Sequence, residues 1–245
     1  METTSTSVLI KRYLPEKNTQ PYYQTFELGF ESDMTVLDAL NRIKDKQDTS
    51  LTYRWSCRMG ICGSCAAVVN GKPVLTCQTY MKDVKQPMKI EPLRNFPVMK
   101  DLVVDISDVF EKMRSTMPYI ERMQKKALSQ GEYLQEPEDR EKLDQTSQCI
   151  KCMICYSACP VYGETKDFVG PAAAALAYRY QSDSREEKPA KKQRMDNVIG
   201  EKGVWKCSFV GECSSACPKR VDPALALQRL KLMGALRLGQ KVVSK

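Results

Sequence analysis

The chain has 245 residues, 28% charged and 42% apolar, a balance that suits one or two globular domains and excludes a disordered, low-hydrophobicity chain. No apolar run approaches the about 20 residues of a bilayer-spanning helix, since the longest, Ala172–Ala177, is followed at once by Tyr178 and Arg179; Met1–Ser5 has neither the basic nor the apolar segment of a secretion signal, so none is expected. The net charge of +8 fits solubility or an acidic contact surface, and with no basic–aromatic pattern nucleic acid is set aside as a partner.

The first hundred residues read as mixed β with one helix. Val8–Tyr13 and Gln24–Leu28 have strand character. Val36, Leu37, Leu40 and Ile43 recur at helical spacing behind the capping residues Asp33-Met34-Thr35. Ala66–Val69 runs into Asn70-Gly71, a strong hairpin signal, and Val74-Leu75 is the expected return strand. Met88–Glu91 is a late strand, and Pro87, Pro92 and Pro97 punctuate the end of the region.

From Leu102 the pattern turns helical, with Leu102, Val103, Ile106, Val109, Phe110 and Met113 three or four apart. Gln130–Asp144 reads as a polar linker, and Ser184–Asp196 as a charged, solvated segment. Gly170-Pro171 opens an alanine-rich helix through Tyr180, and Asp222-Pro223 opens a last one with Asp222 as N-cap. The expected domains are 1–104 and 105–245. The expected fold class is α+β: a mixed β domain followed by a mostly helical one.

Eleven cysteines carry the chemistry, and they fall into three groups. Cys57, Cys62, Cys65 and Cys77 follow C-x4-C-x2-C with a distal fourth ligand, the plant-type [2Fe–2S] spacing. Gly60 and Gly63 permit the left-handed turns that wrap a loop around such a centre, and Arg54 and Arg58 add positive charge. Structural zinc prefers two short C-x2-C knuckles, which this pattern lacks. Cys149, Cys152, Cys155, Cys159 and Pro160 form the bacterial run C-x2-C-x2-C-x3-C-P, whose fourth cysteine ligates the other cluster in two-cluster proteins. The partner run has Cys207, Cys213 and Cys217-Pro218, with Val210 in the slot of the second cysteine.

Crossing the fourth cysteines gives Cys149, Cys152, Cys155 and Cys217 for a [4Fe–4S] centre, and leaves Cys159, Cys207 and Cys213 for the other. Three thiolates fit a [3Fe–4S] cluster, or a [4Fe–4S] cluster whose fourth iron takes water or hydroxide. An apolar Val210 offers no ligand and favours the three-iron form. These assignments use every cysteine, so none remains for a disulfide or a catalytic nucleophile, and an odd number of cysteines without a secretion signal argues against a disulfide framework.

Nearly the whole chain resembles the iron–sulfur (B) subunits of succinate dehydrogenase and fumarate reductase complexes, which implies a plant-type ferredoxin β-grasp domain followed by a mostly helical bacterial ferredoxin-like domain. The resemblance rests on Arg54–Cys65, Asn95-Phe96-Pro97, Asp101–Asp105, Phe168–Ala172, the three-cysteine third group and Cys217-Pro218-Lys219. It implies a subunit that passes electrons between quinone in one or two membrane anchor subunits and FAD in a flavoprotein (A) subunit, where the fumarate/succinate active site sits. It also implies that the N-terminal domain faces the flavoprotein, that the C-terminal domain faces the anchor, and that the subunit is peripheral on the cytoplasmic face of the membrane. Cys159–Gly163 resembles the fumarate reductase version. Many succinate dehydrogenase relatives carry tryptophan there, and often a histidine after the cysteine matching Cys207, where this chain has Ser208 and no histidine at all. The expected function is therefore that of a quinol:fumarate reductase subunit, against succinate oxidation in the reverse direction or a free polyferredoxin carrier.

By position in that family, Trp205, Gln228 and Lys231 stand on the quinone side, with Lys231 suited to a carbonyl oxygen that gains negative charge. Two have a plainer reading as well: Lys231 as a solvated lysine, Trp205 as core or interface filler. The last helix is apolar on more than one side (Leu225, Leu227, Leu230, Leu232, Met233, Leu236, Leu238), which suits a position between partners. Its Arg229, Lys231, Arg237 and Lys241 suit anionic headgroups, each worth about 1 kcal/mol close to a membrane surface.

Overall fold

The computed structural model describes residues 4–17, 20–122 and 125–243, with the backbone alone at 4 and 238–243. Met1–Thr3 and the side chains of Leu238 and Lys241 lie outside the described residues. The chain divides into two compact units. One comprises Met1–Ile106 with Ile150–Ala158, the other Ser107–Cys149 with Cys159–Lys245.

In the first unit, β1 (Thr4–Arg12) pairs antiparallel with β2 (Tyr22–Phe30), and Val8 stands opposite Phe26. Alternation puts Val8 and Ile10 of β1 and Phe26, Leu28 and Phe30 of β2 into the core. Helix α1 (Val36–Lys46) covers that face with Val36, Leu37, Ala39, Leu40 and Ile43. Thr35 caps it in a reciprocal box, its hydroxyl accepting from the Asp38 N–H while the Asp38 carboxylate accepts from the Thr35 N–H at 3.1 Å. The hairpin of β3 (Ala66–Val69) and β4 (Lys72–Leu75) turns at Asn70 and Gly71, with φ of +45° and +82°, the conformation that favours an Asn-Gly pair. Strand β5 (Met88–Glu91) inserts between β1, which it meets in parallel, and β3, giving the order β2-β1-β5-β3-β4.

The helix expected from Leu102 begins later. Val98–Lys100 (β6) and Val103–Val104 (β7) form a short antiparallel pair, and α2 is Ser107–Ser115. Asp101 sits between the strands at φ +45°, its buried carboxylate accepting from the backbone N–H of Tyr13 at 3.0 Å and of Thr52 at 2.8 Å. Those bonds fix the turn at 101–102 that leads into β7. Val109 and Met113 face inward as expected, whereas Phe110 is exposed.

Two segments of the second unit also differ from expectation. The polar linker contains helix α3 (Pro137–Ser147), with Pro137 at its first turn and Leu143 and Thr146 buried. The charged, solvated segment contains helix α7 (Lys188–Val198). There Arg194 is fully buried, donating to Glu186 at 3.0 Å and to the carbonyls of Thr116, Met117 and Tyr119. Its charges looked solvent-bound because their partners lie far along the chain. Helices α4 (Ile154–Ala158) and α5 (Pro160–Glu164) flank Cys159, the former in the first unit. Helix α6 (Pro171–Gln181) buries Ala172–Ala175 and Ala177, whose small side chains admit close neighbours. A short α8 (Glu212–Ser215) leads to α9 (Pro223–Val243), where Asp222 accepts from the Leu225 N–H at 2.9 Å, as an N-cap does. Among the described residues no helix is long and apolar enough to cross a membrane.

Candidate metal centres

Among the described residues, which include all eleven cysteines, none is joined in a disulfide. The first four gather in the first unit. Arg58, Gly60 and Gly63 take φ of +58°, +67° and +73°, which curls the loop so that backbone N–H groups point at sulfur. The Cys57 sulfur accepts from Cys62 N–H at 3.3 Å, Ile61 at 3.4 Å and Met59 at 3.5 Å, and Cys57 N–H donates to the Cys62 sulfur at 3.5 Å. Bonds from the N–H groups of Met59, Cys62 and Ile61 bring the Cys57 thiol down to about 6, favouring thiolate. Cys77 is pushed up to about 11 by burial and a hydrogen bond with Cys65, against the Gly60 N–H directed at it. The sulfurs of Cys57 and Cys62 lie together, as do those of Cys65 and Cys77, with Cys65 and Cys77 buried and Cys62 exposed. Past the hairpin, the Thr76 hydroxyl donates to the Cys65 carbonyl at 2.9 Å, which brings Cys77 back to Cys65. Arg58 stacks over Trp55, 4.5 Å from its ring, and keeps a cation on the loop. A loop whose backbone N–H groups are directed at sulfur fits a negatively charged iron–sulfur cluster.

Of the second group, Cys152 and Cys155 belong to the first unit, Cys149 and Cys217 to the second. Lys151 and Met153 take φ of +55° and +66°, so the backbone reverses around Cys152 before α4 begins. Three bonds fasten this segment to the sheet domain. Arg94 N–H donates to the Ser157 hydroxyl at 2.9 Å, and the Asn95 amide donates to the carbonyls of Tyr156 at 2.9 Å and Ser157 at 3.3 Å.

In the second unit Cys159, Cys207 and Cys213 line one hollow together with Val210, Phe168, Pro171 and Leu227. Tyr162 N–H donates to the Cys159 sulfur and Phe209 N–H to the Cys207 sulfur, both at 3.4 Å. Burial raises Cys159, and burial followed by the nearby Cys159 and Cys207 raises Cys213 to about 12. Val210 belongs to the hollow and presents its side chain to solvent. An apolar lining with three thiols and a valine at the fourth position fits a cluster with one corner free of protein ligand. Among the described residues no three His, Cys, Asp or Glu side chains converge on one metal ion; clusters spread their thiolates over several irons and do not require such convergence.

Lys231 lies beside this hollow, its ammonium donating to the Cys207 carbonyl at 2.6 Å, a bond that spacing gave no means to foresee. Trp205 is part-exposed in the turn before Cys207. Gln228 is half-buried, and its Nε2 has no hydrogen-bond partner among the described residues. Leu232 and Leu236 are exposed on α9, whereas Leu227 and Leu230 are buried.

Comparison with known proteins agrees with this arrangement. Residues 7–111 match the 2Fe-2S iron-sulfur cluster binding domain family, and residues 145–221 match the 4Fe-4S dicluster domain family. A fumarate reductase iron-sulfur subunit of Mycobacterium tuberculosis (strain CDC 1551 / Oshkosh) is 48% identical over 96% of this chain and 94% of its own length. A succinate dehydrogenase iron-sulfur subunit of Coxiella burnetii (strain RSA 493 / Nine Mile phase I) is 36% identical over 91% of this chain and 94% of its own. A chain of the Mycobacterium smegmatis Sdh1 complex in the apo form superposes with a TM-score of 0.84 at 28% identity, covering 96% of this chain and 98% of that one. The expected order of a plant-type domain followed by a two-cluster domain is borne out.

Proposed function

Since this chain belongs to the family of fumarate reductase and succinate dehydrogenase iron–sulfur subunits, and so is an electron-transfer subunit of the succinate:quinone oxidoreductase family, we propose that it works in the direction of fumarate reduction. Electrons enter from quinol at a membrane anchor of one or two subunits and leave to FAD in a flavoprotein subunit. The chain itself is peripheral, at the cytoplasmic face of the membrane. Bound to the three cysteine groups, iron–sulfur clusters supply one-electron chemistry that no side chain here possesses.

The ligand sets are Cys57, Cys62, Cys65 and Cys77 for [2Fe–2S]; Cys149, Cys152, Cys155 and Cys217 for [4Fe–4S], on spacing alone; and Cys159, Cys207 and Cys213 for [3Fe–4S]. The chain's own work is to hold these sulfurs, direct N–H groups at them and exclude water from the buried ones. Trp205, Gln228 and Lys231 border the quinone, where the buried Gln228 amide and the Lys231 ammonium offer donors to a carbonyl oxygen.

The observation that carries this reading is the hollow where Cys159, Cys207 and Cys213 meet around a valine. Identity of 48% to a fumarate reductase subunit against 36% to a succinate dehydrogenase subunit supports the direction, as does the absence of histidine. The test is the purified complex: electron paramagnetic resonance during a redox titration, with quinol:fumarate and succinate:quinone rates measured side by side. Three distinct centres and faster fumarate reduction are expected. A missing three-iron signal overturns the ligand assignment, and faster succinate oxidation overturns the direction.

A further inference from the structure

Gly63 stands where the first cysteine loop meets the second cysteine run. A methyl group there would lie 2.8 Å from the Cys152 Cβ, 2.9 Å from its Cα and 3.1 Å from the Ile150 carbonyl oxygen. At Gly60, in the same loop, a methyl group would meet the movable side chain of Gln78 instead. Gly63 therefore touches main chain that can yield only if the whole 150–152 segment moves. That segment is held in place from behind by the Asn95 amide on the Tyr156 and Ser157 carbonyls.

We propose that Gly63 sets the electron-transfer distance between the first and second iron–sulfur centres, with Asn95 as the residue that keeps Cys152 pressed against it. The inference rests on the cluster assignments of the proposed function. The step is the passage of one electron: one centre is oxidised as the other is reduced, no bond forms or breaks and no proton moves. Its rate falls exponentially with the gap that the electron must tunnel, and a van der Waals contact between the Gly63 backbone and a ligand cysteine is the shortest gap that two unbonded segments allow. Any side chain at residue 63 widens it. Gly63 is on this account a positioning residue, and Asn95-Phe96, otherwise unexplained motif residues, share the task.

The test uses the purified complex reduced by dithionite or quinol. The readouts are the iron content, the midpoint potentials of both centres, the broadening of the [2Fe–2S] resonance by the neighbouring reduced centre, and the inter-centre transfer rate by freeze-quench. Gly63→Ala is expected to keep both signals and both potentials, weaken the broadening and slow the transfer severalfold. Wild-type broadening and rate with both signals present would overturn the inference. Because φ at residue 63 is +73°, Ala strains the loop; where that strain costs the first centre, Asn95→Gly, which tolerates the native φ of +70° and removes the amide, decides. Weakened broadening in that variant supports the inference, and unchanged broadening overturns it. A wild-type complex lacking one of the two signals would instead overturn the proposed function itself.

Discussion

Arg12 and Asp101 form a fully buried ion pair, with Nε donating to Oδ1 at 2.9 Å. The pair joins the end of β1 to the turn between β6 and β7, and the guanidinium also reaches Asp48 at 2.6 Å, Gln24 and Ser50. Removing one partner of such a network leaves a charge buried without compensation. Asp101→Ala also strands the N–H groups of Tyr13 and Thr52. The expected loss is about 3–5 kcal/mol of stability, read by denaturant unfolding; a loss below about 1 kcal/mol, as for a surface pair, would contradict the buried network.

Asp48 sets a pH dependence on the same network. Burial alone would raise its carboxyl, but hydrogen bonds from Ser50 and Arg12 outweigh burial and hold it at about 2. The folded value lies below the ordinary ~3.9, so the stabilisation is complete above about pH 4 and disappears as the pH falls toward 2. The stability difference between wild type and Asp48→Asn is therefore expected to be flat near neutrality and to shrink in that acid window. A difference that grew on acidification would have the wrong sign.

Val210 lines one hollow with Cys159, Cys207 and Cys213, and in sequence it takes the slot of the run's second cysteine. Val210→Cys is expected to convert the three-iron centre to four-iron and lower its potential. The oxidised three-iron resonance should then vanish, and its persistence at full intensity would refute the placement.

The Lys231 bond to the Cys207 carbonyl puts a cation next to a ligand of the same centre. A nearby positive charge favours the more negative, reduced form. Lys231→Met is expected to lower the midpoint potential of this centre and leave the other two unchanged in a redox titration. An unchanged potential would refute an influence of the ammonium on that centre.

Cysteine spacing was legible because each motif is a local pattern: Cys57–Cys65, Cys149–Cys159 and Cys207–Cys217 each span only nine to eleven residues. The same holds for the Asn70-Gly71 turn and the Thr35–Asp38 cap, whose partners are neighbours. What escaped depends on distant partners. Leu102, Val103 and Ile106 fall at spacings that also suit a helix, and the bonds of Asp101 to Tyr13 and Thr52, with the pairing of β7 to β6, decide against it. Helix α7 reads as solvated because Arg194 finds Glu186 and three carbonyls that no local pattern announces. The contact of Gly63 with Cys152 spans nearly ninety residues, and one glycine among several in a cysteine loop gives no sign of it.

Residues Ile150–Ala158 belong with the first unit, although more than forty residues of the second precede them. A polypeptide made from its N-terminus at about 5–20 residues per second cannot complete the sheet domain when residue 106 leaves the ribosome. The sheet and α1 are ready early, but the nascent domain waits several seconds for its last strip of chain, and the front of the second unit has to emerge before the first is whole. A gene fragment stopping at residue 106 therefore encodes the sheet without the strip that seats on Arg94 and Asn95.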